Sequence, residues 1–124
     1  MFDISRNGII TMSRGDTWKT EIFVNVGTEL VPIGYTLKEN EYLYFGLMEP
    51  NQPFEVALIR KRIDRTAVVE GDAGYYKINF EVEDTEHLLP GTYYYEVKLL
   101  RIDEDTGGNL IDTIIPRTKF VIYE

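Results

Sequence analysis

The residues able to do chemistry are few and far apart. His87 is the single histidine, and there is no cysteine. Zinc sites and nucleophilic triads lean on imidazole or thiolate groups. A lone imidazole would need carboxylate co-ligands, and none stands at the usual spacing from His87. Ser5 and Ser13 have no histidine and acid arranged near them in sequence. No phosphate-cradling glycine loop occurs. The chain is therefore expected to be no enzyme, with no catalytic, cofactor-binding or metal-binding residues.

Two short motifs invite a sharper reading. Asp103-Glu104-Asp105 opens "DEDTGGNLIDTI", which begins as an EF-hand loop does and has Gly108 at the turning position. Gly107 stands where an oxygen ligand belongs, and Ile114 replaces the closing bidentate glutamate, so the EF-hand pattern fails. A hairpin tip turning on Gly107-Gly108 is preferred to a weaker calcium site shared with another loop. Arg14-Gly15-Asp16 spells the adhesion tripeptide. It lies between two extended runs, where a sandwich needs a turn whatever its function, and glycine and aspartate supply turn chemistry. The structural turn is the expected role.

The elements that must position these residues are strands. The 124 residues have the length of one domain, read as 1–124, and 44% are apolar, enough for one core. Nine tyrosines against three methionines favour strands. Period-two alternation places Trp18, Ile22, Val24 and Val26 on one face. It does the same for Leu43, Phe45 and Leu47, then for Tyr76, Ile78, Phe80 and Val82. Tyr93, Tyr95, Val97 and Leu99 follow, with Phe120 and Ile122 in the tail. Buried aromatics expected between two sheets include Trp18, Phe45, Phe80, Tyr93 and Tyr95. In "EVALIRKRI" the register is open, with Val56 and Leu58 competing against Ala57, Ile59 and Ile63; Arg60-Lys61-Arg62 suits an edge strand. Turn signals recur at 6–8, 14–16, 32–34, 49–53, 70–74, 89–91 and 106–109.

The fold expected is all-β: an immunoglobulin-like antiparallel β-sandwich of about seven strands. "EDTEHLL" (83–89) carries acids at its start, as a helix N-terminus prefers, and Pro90-Gly91 ends it. A helical turn, a sharp turn and a strand opening on tyrosine match the E–F corner of such sandwiches, with Tyr93 as the corner tyrosine. The third and sixth strands of that fold are neighbours. Their outward positions include Tyr42, Tyr44 and Met48 on one and Tyr94, Glu96 and Lys98 on the other. Tyr42, Tyr44 and Tyr94 are the candidate interface, since tyrosine is enriched in protein contacts; ordinary cross-strand pairing is the competing role.

A net charge of −8 disfavours nucleic acid and anionic membranes as partners. "MFDISRNGII" has no apolar h-region, and no apolar run approaches membrane-spanning length. Absence of cysteine fits synthesis in a reducing cytoplasm.

"ITMSRGDTW" and "LLPGTYYYEVKL", with "YTLKENEYLYF" (35–45) between them, resemble small β-sandwich proteins of tailed-bacteriophage structural gene clusters. The resemblance is to the immunoglobulin-like N-terminal domain of the phage baseplate upper protein and its stand-alone relatives. It runs roughly from Ile10 to Tyr123. Asn40-Glu41 replaces the Gly-Asp typical of the turn before the third strand. The longer baseplate proteins have further domains beyond this one. The resemblance implies a non-enzymatic virion component of a tail, baseplate or head-fibre assembly, made in the bacterial host cytoplasm. Its partners would be other virion proteins or a second copy of itself. The alternative is a carbohydrate-binding or adhesin-type sandwich, for which the tyrosines would form an aromatic platform.

Overall fold

The computed structural model describes residues 8–28 and 30–124, together with the backbone of a short strand at residues 2–4. Ser5 and the Arg6-Asn7 part of the first turn lie outside the described residues.

Among the described residues, eight strands form two sheets. They are β1 (Phe2–Ile4), β2 (Ile10–Ser13), β3 (Trp18–Phe23), β4 (Tyr42–Met48), β5 (Ile59–Ile63), β6 (Tyr75–Phe80), β7 (Gly91–Ile102) and β8 (Asn109–Tyr123). The larger sheet runs β1-β2-β8-β7-β4-β5, and the smaller is the pair β3-β6. Every ladder is antiparallel except β2 against β8, which is parallel. The result is an all-β sandwich with the immunoglobulin-like arrangement. Its third and sixth immunoglobulin strands are β4 and β7, which pair from Tyr42↔Leu100 to Met48↔Tyr94.

The alternation holds where the two sheets face each other. Leu43, Phe45, Leu47, Tyr76, Ile78, Phe80, Tyr93, Tyr95, Val97, Leu99, Phe120 and Ile122 are all buried in one cluster. Phe45 is its centre, stacking on Tyr95 at 5.6 Å and meeting Phe80 edge-on at 5.4 Å. In β5 the competing registers resolve in favour of Ile59 and Ile63, which are buried, while Val56 and Leu58 are exposed. Arg60-Lys61-Arg62 lies on the edge strand, as expected.

The alternation fails at strand ends. Trp18 is 43% exposed and not a core residue. It opens β3 opposite Phe80, the last residue of β6, so it stands at the lip of the sandwich beside an open cleft of about 470 Å³. Val26 lies past the end of β3 and is exposed, and Val82 is exposed because the chain has already turned into a helix. Met48, expected outward, is fully buried.

The helical turn α1 spans Val82–Thr85, a shorter and earlier segment than 83–89. Glu81 and Asp84 form a reciprocal capping box, which fixes its start. The corner itself is as expected: the Tyr93 hydroxyl donates to the Leu89 carbonyl at 2.6 Å. Arg14-Gly15-Asp16 is a tight turn closed by the Asp16 N–H donating to the Ser13 carbonyl at 3.2 Å. Gly15 has φ +80°, a conformation side chains resist. Its N–H donates to the buried Thr85 hydroxyl at 2.8 Å, and the Arg14 guanidinium pairs with Glu124 at 2.8 Å. The tripeptide is thus tied to the corner and to the chain end. No helix among the described residues is long and apolar enough to cross a membrane.

Candidate functional site

The outward face of the larger sheet is built from β5, β4, β7 and β8. Register puts Tyr44 opposite Arg62 on one side and Lys98 on the other. Two residues along, Gly46 lies opposite Arg60 and Glu96. Tyr94 lies opposite Met48 and Lys119. All three candidate tyrosines are half-buried on this face.

They do not form one tyrosine patch. The Tyr42 and Tyr44 rings approach to 6.3 Å, but Tyr94 sits toward the other end of the strand pair. Phe54 occupies the interval. It belongs to a single turn of 3-10 helix, Phe54–Val56, that folds back over β4. A Cβ placed on Gly46 would lie 2.6 Å from the Phe54 ring, so only glycine admits this packing. An isolated glycine in a strand often marks such a close approach. Gly46 in "YLYFGLM" was therefore the available signal for Phe54.

Cations cover these rings. Arg62 lies over Tyr42 at 4.8 Å, Lys98 over Phe54 at 5.3 Å and Arg117 over Tyr94 at 5.6 Å. Glu96 pairs with both Lys98 and Arg117 at 3.4 Å. The Arg117 guanidinium also donates to the Gln52 carbonyl. The Tyr44 and Phe54 rings, with Arg60 and Arg62, border a largely apolar cleft of about 360 Å³. The face combines aromatic area with guanidinium groups, the two residue classes that dominate protein-contact hot spots.

A second constellation is structural. Glu41, only 3% exposed, accepts from the Tyr35 hydroxyl at 2.7 Å and from the N–H groups of Lys38 and Ile102 at 2.9 and 3.3 Å. Burial pushes its carboxyl up, yet the bonds from Tyr35, Lys38 and Ile102 outweigh that and hold it below the usual range. Burial, then the bond to Glu41, pushes the Tyr35 phenol up to about 12. Tyr76 joins the cluster, donating to the Tyr35 carbonyl at 2.9 Å and accepting from the Leu37 N–H at 2.7 Å. Asn40 has φ +68°, a left-handed conformation that asparagine tolerates better than most side chains.

The remaining motifs do not converge on this face. His87 is exposed at the corner. At the β7–β8 tip the Asp103 carboxylate accepts from the Asp105 N–H and the Thr106 hydroxyl, and Glu104 pairs with Lys38 at 2.7 Å. Gly107 turns the chain there at φ +73°. Among the described residues, no group of three or more histidine, cysteine or acidic side chains is placed to hold a metal ion. Comparison with known families, characterised proteins and solved structures finds no match to this chain.

Proposed function

We propose that the chain is a non-enzymatic structural or adaptor module of a phage virion, acting through protein–protein contacts. The observation that carries the contact reading is the aromatic and cationic outward face of β4 and β7, with Tyr44, Phe54 and Tyr94 along it. The virion assignment rests on the resemblance of "ITMSRGDTW" and "LLPGTYYYEVKL" to phage baseplate sandwich domains. A carbohydrate platform is less well served. Sugars stack on open ring faces, whereas Arg62 lies over Tyr42 and Arg117 over Tyr94.

The test is to make Tyr44→Ser and Tyr94→Ser and confirm folding by circular dichroism. Association with virion proteins or a second copy is then measured by analytical ultracentrifugation and virion incorporation. Each substitution should weaken association by roughly tenfold, as loss of an interface tyrosine worth more than about 1 kcal/mol does. Folded variants that assemble as well as the parent would sink the contact reading. Absence of the chain from purified virions of the source phage would sink the assignment to a virion.

A further inference from the structure

β5 is the last strand of the larger sheet, and its outer edge has no partner strand among the described residues. Such an edge offers a row of backbone donors and acceptors to any extended chain. Two clefts flank it. The outer one, about 360 Å³, is bordered by Tyr44, Phe54, Glu55, Arg60 and Arg62. The other, also about 360 Å³, opens between β5 and β6 and is bordered by Lys61, Arg62, Asp64, Lys77 and Asn79. A strand laid along β5 would send alternate side chains to opposite faces. One set would meet the apolar floor and the arginines; the other would meet the lysine-lined gap.

The charge on this edge is unbalanced. Lys61 is neutralised by Asp84 at 2.8 Å. Arg60 and Arg62 are exposed, and among the described residues neither has an acid within salt-bridge distance. With two guanidinium groups against the single Glu55 at the outer cleft, the edge repels basic strands and favours an acidic one. The chain as a whole carries −8, so this edge opposes the charge of the rest of the molecule.

We propose that the β5 edge binds an extended acidic segment of a partner protein by strand addition. Its carboxylates lie on Arg60 and Arg62, and an apolar side chain enters the cleft between Tyr44 and Phe54. This rests on the reading of the chain as a protein-contact module and names the kind of partner that one edge would take.

The experiment is selection from a random short-peptide library on the intact protein. Winners are then titrated against wild type, Arg60→Glu/Arg62→Glu, and the charge-matched control Lys19→Glu/Lys38→Glu. Selected peptides should carry acids at alternating positions. The β5 variant should weaken them roughly tenfold or more, and the control should weaken them far less. Amide resonances of Ile59–Ile63 should shift on binding. Failure to select any binder, selection of neutral or basic peptides, or shifts confined to β3 and β6 would overturn the proposal. So would tighter binding of a thymidine oligonucleotide than of any peptide, lost in the same β5 variant, which would make the edge a nucleic-acid site. If Tyr44→Ser and Tyr94→Ser abolish assembly but no acidic peptide is selected, the contact module stands and strand addition falls. If acidic peptides bind β5 while those tyrosine variants assemble normally, the reverse holds.

Discussion

At the scale of single residues, buried polar groups with several partners matter most. Glu41 gathers a phenol and one backbone N–H from the loop before it and a second N–H from the end of β7. Replacing it with glutamine leaves at least one of these donors without a good acceptor, at a cost of about 1–3 kcal/mol. The folded state depresses the Glu41 pKa, so its contribution is full above the unfolded value of about 4.3 and is lost as pH falls through the lower folded value. Glu41→Gln should therefore be destabilised at neutral pH, with the gap to wild type narrowing on acidification. Chemical denaturation at about pH 7 and about pH 3 would check this, and a gap that widens in acid would contradict it. Gly15 makes a second case. A Cβ there would meet nothing closer than Glu86 Cβ at 4.0 Å, so space is available and only the φ of +80° resists. Gly15→Ala should cost about 1–2 kcal/mol, and Gly15→Val more. Asp16→Glu should leave any assembly largely intact if the fold survives, and loss of cell attachment in that variant would overturn the structural reading of the turn.

At the scale of elements, the sequence was legible where period-two runs lie between the two sheets. β6, β7 and the first half of β4 alternate as expected because the opposing sheet covers one face of each and leaves the other open. The pattern misled where an element ends. Trp18 has the inward phase, but no opposing strand continues past Phe80 to cover it. Periodicity specifies a face and carries no information on how far the facing layer extends. The candidate face was half legible. Tyr42, Tyr44 and Tyr94 were found by alternation, but Phe54 comes from a turn and Arg117 from a register shift in the β7–β8 ladder between Tyr95 and Lys98. Neither follows from a local period. Glu41 was invisible as a hub because, although Tyr35 and Lys38 are within six residues of it, only the fold brings in the Ile102 N–H. The contrast between centre and lip gives a measurable difference. Phe45→Ala should cost about 3–5 kcal/mol, as deletion of a fully packed ring does. Trp18→Ala should cost clearly less, since much of that side chain is in water already. Urea denaturation of the two variants would decide, and equal losses would contradict the placement of Trp18. Tyr93→Phe removes one corner hydrogen bond and should cost about 0.5–1.5 kcal/mol.

At the scale of the whole molecule, the question is whether the two sheets and their corner melt together. The smaller sheet has only two strands, too few to stand alone, since a two-stranded ribbon is marginal in water. Its inward residues Ile22, Tyr76, Ile78 and Phe80 belong to the same buried cluster as those of the larger sheet. A cross-link reinforces the joint: Lys61 of β5 meets Asp84 of the helical corner at 2.8 Å. Neither layer can open without exposing the core of the other, so unfolding should be one cooperative step. Trp18 makes the test direct. It is the single tryptophan and lies on β3 of the smaller sheet, so its fluorescence reports that layer, whereas far-ultraviolet circular dichroism is dominated by the larger sheet. The two signals should give coincident midpoints in urea. A fluorescence transition at clearly lower denaturant would mean that β3 and β6 detach first, and would divide the chain into two units of unequal stability. Arg60→Glu/Arg62→Glu, confined to the exposed edge, should keep the two transitions coincident and change the unfolding free energy by no more than about 0.5 kcal/mol per substitution.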